Sequence, residues 1–159
     1  MFFHWPNKIA SGKHFDYPIS ALDFYPTFVG LAGAKIPQGK LLDGKDIWSD
    51  FISGKSPHKG ENIYAMRHRS GYSDVGIRQD QWKATKAYDE PWSLYNIDND
   101  ISEKNDLSKE NPTQLKKMVL DAQKWSTGHV EPLWFDPLEL RKIWKEAEMD
   151  KFKETFIIK

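Results

Sequence analysis

The stretch IYAMRHRSGYSDVGIRQDQWKATKAYDEPWSLYNI, residues 63–97, decides the architecture. Within it Ile63 to His68, Ser73 to Arg78, Trp82 to Tyr88 and Ser93 to Ile97 are strand-length runs whose hydrophobic period approaches two. Ser70-Gly71, Gln79-Asp80 and Asp89-Glu90-Pro91 separate them, with the small, polar or ring-constrained residues that tight connections use. Parallel neighbours would need crossover segments between the runs. Four consecutive strands without them predict an antiparallel meander.

Working outward, Asn111-Pro112 predicts the start of a helix, with Asn as cap, Pro at the first helical position and Gln114 at the third. Leu115, Met118, Val119, Ala122 and Trp125 recur at helical spacing, and Gly128 ends the pattern. That stripe is expected to cover one face of the sheet. Asp136-Pro137, with Glu139 completing a capping box, predicts a further helix whose apolar face is Leu140, Ile143, Trp144 and Ala147.

Upstream of residue 63 the segment Ser53 to Gly60 is polar and carries Gly54, Pro57 and Gly60, as a linker does. Before it, Phe2-Phe3 ahead of Trp5-Pro6 predicts a short strand that ends at proline. A helix is expected from Asp23, acting as cap, with Phe24, Phe28, Leu31 and Ala32 on one face and Gly33 as its stop. Ile47, Trp48, Phe51 and Ile52 suggest a further helical turn. One strand and one helix make an incomplete layer, because their apolar faces need another sheet to cover them. The chain is therefore read as α+β, divided as 1–56, 57–128 and 129–159.

Composition narrows the function classes. Lys plus Arg and Asp plus Glu both number 23, so no excess positive field draws the chain to nucleic acid. No run approaches the roughly 20 apolar residues that span a bilayer. There is no cysteine, which excludes disulfides, thiolate metal sites and a cysteine nucleophile from these residues. The opening Met1-Phe2-Phe3-His4 lacks the basic and long apolar regions of a secretory signal.

Five motifs then carry a resemblance. Trp5-Pro6-Asn7-Lys8-Ile9 with Gly12 resembles the W-P-G-x-I-x-x-G segment of sulfatases. Ser20-Ala21-Leu22-Asp23-Phe24-Tyr25-Pro26-Thr27, running into Leu31-Ala32-Gly33, is similar to their S-x-x-D-h-x-P-T helix. Leu42-Asp43-Gly44-Lys45-Asp46-Ile47 is similar to the L-D-G loop that follows it. Ile77-Arg78 to Trp82-Lys83 resembles the R-x-x-x-W-K hairpin. Leu94-Tyr95-Asn96-Ile97-Asp98-Asn99-Asp100, Glu103 and Asn105-Asp106-Leu107 resemble the L-Y-D-L-x-x-D-P-x-E-x-x-N-L turn, with Ile101 in place of proline and Asn96 in place of aspartate.

The resemblance implies the C-terminal part of an alkaline phosphatase-like α/β sulfatase fold: the end of the catalytic domain, then a four-stranded antiparallel sheet covered by a helix. It implies hydrolysis of sulfate esters, of a sulfated carbohydrate or an aryl sulfate, with calcium and formylglycine in the full-length protein. A missing N-terminal catalytic domain is then the partner, and a periplasmic or extracellular location is expected for the full-length family member. No C/S-x-P-x-R motif occurs here. The nearest stretch, Lys55-Ser56-Pro57-His58-Lys59, has Lys at both decisive positions. No catalytic or metal residue is therefore assigned, and the chain alone is expected to be inactive.

Arg67, His68 and Arg69 are the candidate substrate-binding residues, because a cationic strand end with several donors suits an anionic saccharide. A solvated charged turn is the plainer alternative. Trp92 is read as core packing, with a stacking surface as the alternative. Asp43 and Asp46, and His4, His14, His58 and His129, are read as structural. Two other function classes stay open: a non-catalytic carbohydrate-binding or interaction module, and a phosphatase or phosphonate hydrolase of the same superfamily.

Overall fold

The computed structural model describes residues 1–69, 72–87, 89–129, 139, 142, 146 and 155–158, without the side chains of His68, Arg69 and Tyr72. It divides into two compact units, Met1–Lys59 and Gly60–Lys159.

In the first unit Ser20 opens a 3-10 turn, Ala21–Asp23, that runs directly into α1, Phe24–Leu31. Ser20 Oγ accepts the Leu22 N–H at 3.2 Å, and the Ser20 N–H donates to Asp23 Oδ2 at 2.8 Å. The capping residue is thus Ser20 rather than Asp23, whose carboxylate turns back to close a reciprocal box. At the other end Gly33 takes φ +64°, and Ala34 N–H reaches the Val29 carbonyl at 3.0 Å. That 6→1 bond, with Gly33 N–H on the Gly30 carbonyl, closes the helix where a side chain would be strained.

The loop after α1 is locked to it by close backbone approach. A Cβ on Gly44 would stand 2.1 Å from the Leu22 carbonyl oxygen, so only glycine fits there. Lys45 N–H donates to Asp23 Oδ1 at 3.1 Å and Ile47 N–H to Thr27 Oγ1 at 3.0 Å. A second short helix, α2, spans Trp48–Ser53 and ends at Gly54 with φ +66°.

The strand expected at Phe2-Phe3 does not form. A ladder needs a neighbouring strand, and no described residue of this unit supplies one. Side chains hold the segment instead: Phe3 packs edge-on against Phe51 at 4.8 Å and Phe24 at 6.0 Å, and Trp5 lies against Trp48 at 5.3 Å. Between this segment and the two helices runs an open groove of about 540 Å³, walled by Phe2, Trp5, Phe24, Phe28, Trp48 and Phe51 among others.

The second unit is the expected meander. β1 (Ile63–Arg69), β2 (Tyr72–Gln79), β3 (Trp82–Lys86) and β4 (Ser93–Asn96) pair antiparallel in sequence order. The register aligns Tyr64, Ile77, Ala84 and Leu94 across all four strands. Ile77, Ala84, Leu94 and Val75 form the buried face, and α3, Pro112–Ser126, lays Leu115, Met118, Val119 and Ala122 on it. Each of the Val, Ile, Leu and Met side chains removed from water stabilises the fold by roughly 1.5–3 kcal/mol, the alanines by less. Asn111 precedes Pro112 as expected, although its side chain makes no capping hydrogen bond. The rings of Tyr64 and Trp125 stack 4.7 Å apart and 10° from parallel, joining α3 to β1.

Two aspartates shape the return from β4 to α3. Asp106 Oδ1 accepts the N–H groups of Leu94 at 3.0 Å and Ser108 at 2.9 Å, while Leu107 N–H reaches the Leu94 carbonyl at 2.8 Å. Asp100 Oδ2 accepts those of Lys104 and Asn105, both at 2.8 Å. Beyond residue 129, the described Glu139, Lys142 and Glu146 are helical, and Thr155 and Phe156 are buried. The rest of the helix expected from Asp136 lies outside the described residues, as do Ser70-Gly71 and Tyr88. No helix among the described residues is long and apolar enough to cross a membrane.

Candidate functional site

The candidate residues sit on the last three positions of β1, in register with Asp74, Ser73 and Tyr72 of β2: Arg67 opposite Asp74, His68 opposite Ser73, Arg69 opposite Tyr72. Successive strand residues address opposite faces of a sheet. Arg67 therefore lies on the face away from α3, opposite the one that carries the buried Val75 and Ile77. The sequence places three polar residues in a row. Arg67 is exposed; the side chains of His68 and Arg69 lie outside the described residues.

The same sheet end carries Lys86, opposite Val75, and the connection from β3 to β4. Lys86 is buried, and its Nζ donates to the Glu90 carbonyl at 2.7 Å. Trp92 is buried too, with its indole N–H donating to the Thr155 carbonyl at 2.7 Å. It is a core residue and presents no stacking surface. The burial of Trp92 agrees with its reading as core packing; the carbonyl partners of Lys86 and Trp92 come from the folded β3–β4 connection and the tail.

Asp23 is fully buried and holds three donors: the N–H groups of Ser20 and Lys45, and His58 Nε2 at 2.8 Å. Since a carboxylate accepts only, Nε2 carries the proton in that bond. Asp46 Oδ1 accepts the Trp48 N–H at 2.9 Å. Asp23 thus engages both carboxylate oxygens, and Asp46, Asp100 and Asp106 one each, with backbone amides or His58. Direct bonds from Asn105 and then Lys104 hold the Asp100 carboxyl below the usual range. Asp106 is also lowered, burial pulling upward but outweighed by the amides of Leu94 and Ser108. Calcium needs six to eight free oxygen ligands, and formylglycine a Cys or Ser in its motif. The sequence carries no such motif, and among the described residues no three His, Asp or Glu could hold a metal ion together.

Interlocked loop and helix in one unit, with a helix-covered four-stranded meander in the other, define the C-terminal region of a sulfatase. A family model, N-sulphoglucosamine sulphohydrolase, C-terminal, matches residues 1–127, and the chain belongs to that family. The solved structure of Ps i-CgsB in complex with k-i-k-neocarrahexaose is 50% identical, with a TM-score of 0.92 over 96% of this chain and 34% of that one. A sulfatase of Formosa agariphila is 32% identical over 123 residues, 69% of this chain and 21% of its own length. The putative sulfatase yidJ of Bacteroides fragilis shares the fold, with a TM-score of 0.58 at 20% identity. The chain thus spans between about a fifth and a third of these relatives. Its fold is the C-terminal part of the alkaline phosphatase-like sulfatase fold.

Proposed function

We propose that this chain is the C-terminal region of a sulfatase that hydrolyses sulfate esters of a saccharide, with residues 1–56 completing the catalytic α/β domain and residues 57–128 forming the sheet subdomain. The observation that carries the reading is the 50% identity over nearly the whole chain to a protein solved with a neocarrahexaose bound. Nucleophile and calcium belong to an upstream catalytic domain, so the chain alone turns over no ester. Its own contribution is contact with the saccharide. Arg67 and Arg69 supply cationic forks for sulfate oxygens, and His68, between them on the last three positions of β1, adds a donor.

Calorimetric titration of the chain with a neocarrahexaose, and with the same sugar after desulfation, tests this. Binding is expected only for the sulfated form. Arg67→Ala is expected to weaken it by roughly tenfold, the worth of one charge-assisted hydrogen bond. Equal affinity for both sugars, or for the variant, would remove the strand end from the site.

A further inference from the structure

We propose that Thr155 and Phe156 form a C-terminal clasp that holds the β3–β4 connection, and through it the sheet end bearing Arg67. Both residues lie beyond the 127 that match the family. The buried Trp92 N–H finds its acceptor, the Thr155 carbonyl at 2.7 Å, 63 positions along the chain. A buried N–H left without one is destabilising. The next ring, Phe156, is 7% exposed and joins the core of Val75, Ile77, Ala84 and Leu94 with α3.

The clasp acts on a connection that is already tied from its other side. Glu90 N–H bonds to the Ala87 carbonyl at 2.9 Å, and the Glu90 carbonyl takes the Lys86 ammonium. Lys86 is in register with Val75, one residue from Asp74, which is in register with Arg67. Strands lie about 4.8 Å apart, so the held connection stands about 10 Å from β1. Tail and connection are thus joined by a hydrogen bond and a shared core, and the ladder of β3, β2 and β1 links them to Arg67. The part of this inference that concerns saccharide binding rests on the function proposed above; the clasp itself does not.

Hydrogen exchange followed by NMR in the whole chain, for the Trp92 indole N–H and for the amides of Arg67 to Arg69, tests it. Deleting residues 155–159, or Phe156→Ala, is expected to speed both by about tenfold or more. Ile157→Ser is expected to change neither, because Ile157 is 54% exposed. Should the deletion unfold the unit, Trp92→Phe keeps an aromatic ring in the core while removing the indole N–H together with its five-membered ring, and the Phe156 amide is then expected to lose protection. Unchanged indole exchange in the deleted chain, or an unchanged Phe156 amide in Trp92→Phe, overturns the clasp. Faster indole exchange with unaltered Arg67 to Arg69 amides overturns its link to the sheet end. Failure of the unsubstituted chain to bind a neocarrahexaose sinks the saccharide reading and leaves these exchange results standing.

Discussion

His58 Nε2 lies 2.8 Å from Asp23 Oδ2, and the two buried side chains join positions 35 residues apart in sequence. The same carboxylate gathers the amides of Ser20 and Lys45, so one side chain ties the entry to α1, the Gly44 loop and the segment around His58. Asp23→Ala would remove the carboxylate that all three donors share. The expected loss is about 2–4 kcal/mol, read as a lower urea midpoint for the first unit. His58→Ala should cost less, since the two amide bonds survive. An Asp23→Ala midpoint within error of the parent would show that the hub carries no net stability.

Glycine substitutions should separate close approach from mere flexibility. Gly44→Ala places a methyl against backbone that cannot yield, 2.1 Å from Leu22 O, and is expected to destabilise by several kcal/mol, about 2–4. Gly76→Ala meets only the Ala65 methyl at an ordinary 3.9 Å. There the smaller loss of unfolded-state entropy should leave stability equal or raised by about 0.5 kcal/mol. Thermal denaturation of both variants checks the contrast.

Acid should loosen the turn between β4 and α3 first. Asp100 and Asp106 titrate lower in the fold than in the unfolded chain. Their stabilisation is therefore present above the unfolded carboxyl range and fades as pH falls through the folded values. Asp106→Asn should flatten that part of the stability profile between about pH 5 and pH 2. A profile identical to the parent's would assign acid sensitivity elsewhere. Tyr64, raised by burial, works in the opposite direction: its contribution is lost at alkaline pH.

The aromatic groove of the first unit should make the isolated chain associate. Phe2 is 88% exposed and Phe28 58%, in the same wall. Phe2→Ser with Phe28→Gln is expected to reduce association in sedimentation velocity at high concentration. A parent chain that stays monomeric throughout would show that the groove alone does not drive self-contact.

Much of this arrangement is legible in residue order. The meander follows from period-two runs and their turns, and the covering helix from Leu115, Met118, Val119 and Ala122 at helical spacing, because both are local patterns. Ser20 was obscured by Asp23, since either can cap and only the folded carboxylate shows which one does. The Phe2-Phe3 strand failed for a different reason: pairing is non-local, and composition cannot say whether a neighbour is at hand. At the candidate site the residue types are visible but not their faces, which alternation assigns only once the strand's register is known. Trp92 as core is legible, but its bond to Thr155 and the seat of Phe156 are not, because nothing in a sequence marks residues so far apart as partners.

The Tyr64–Trp125 stack supplies a built-in optical reporter. Two nearly parallel rings 4.7 Å apart, one on β1 and one on α3, couple their electronic transitions in the near ultraviolet. The resulting dichroic band should vanish when the helix lifts from the sheet, even while helical content in the far ultraviolet persists. Docking of α3 can therefore be timed separately from its formation, with no label attached.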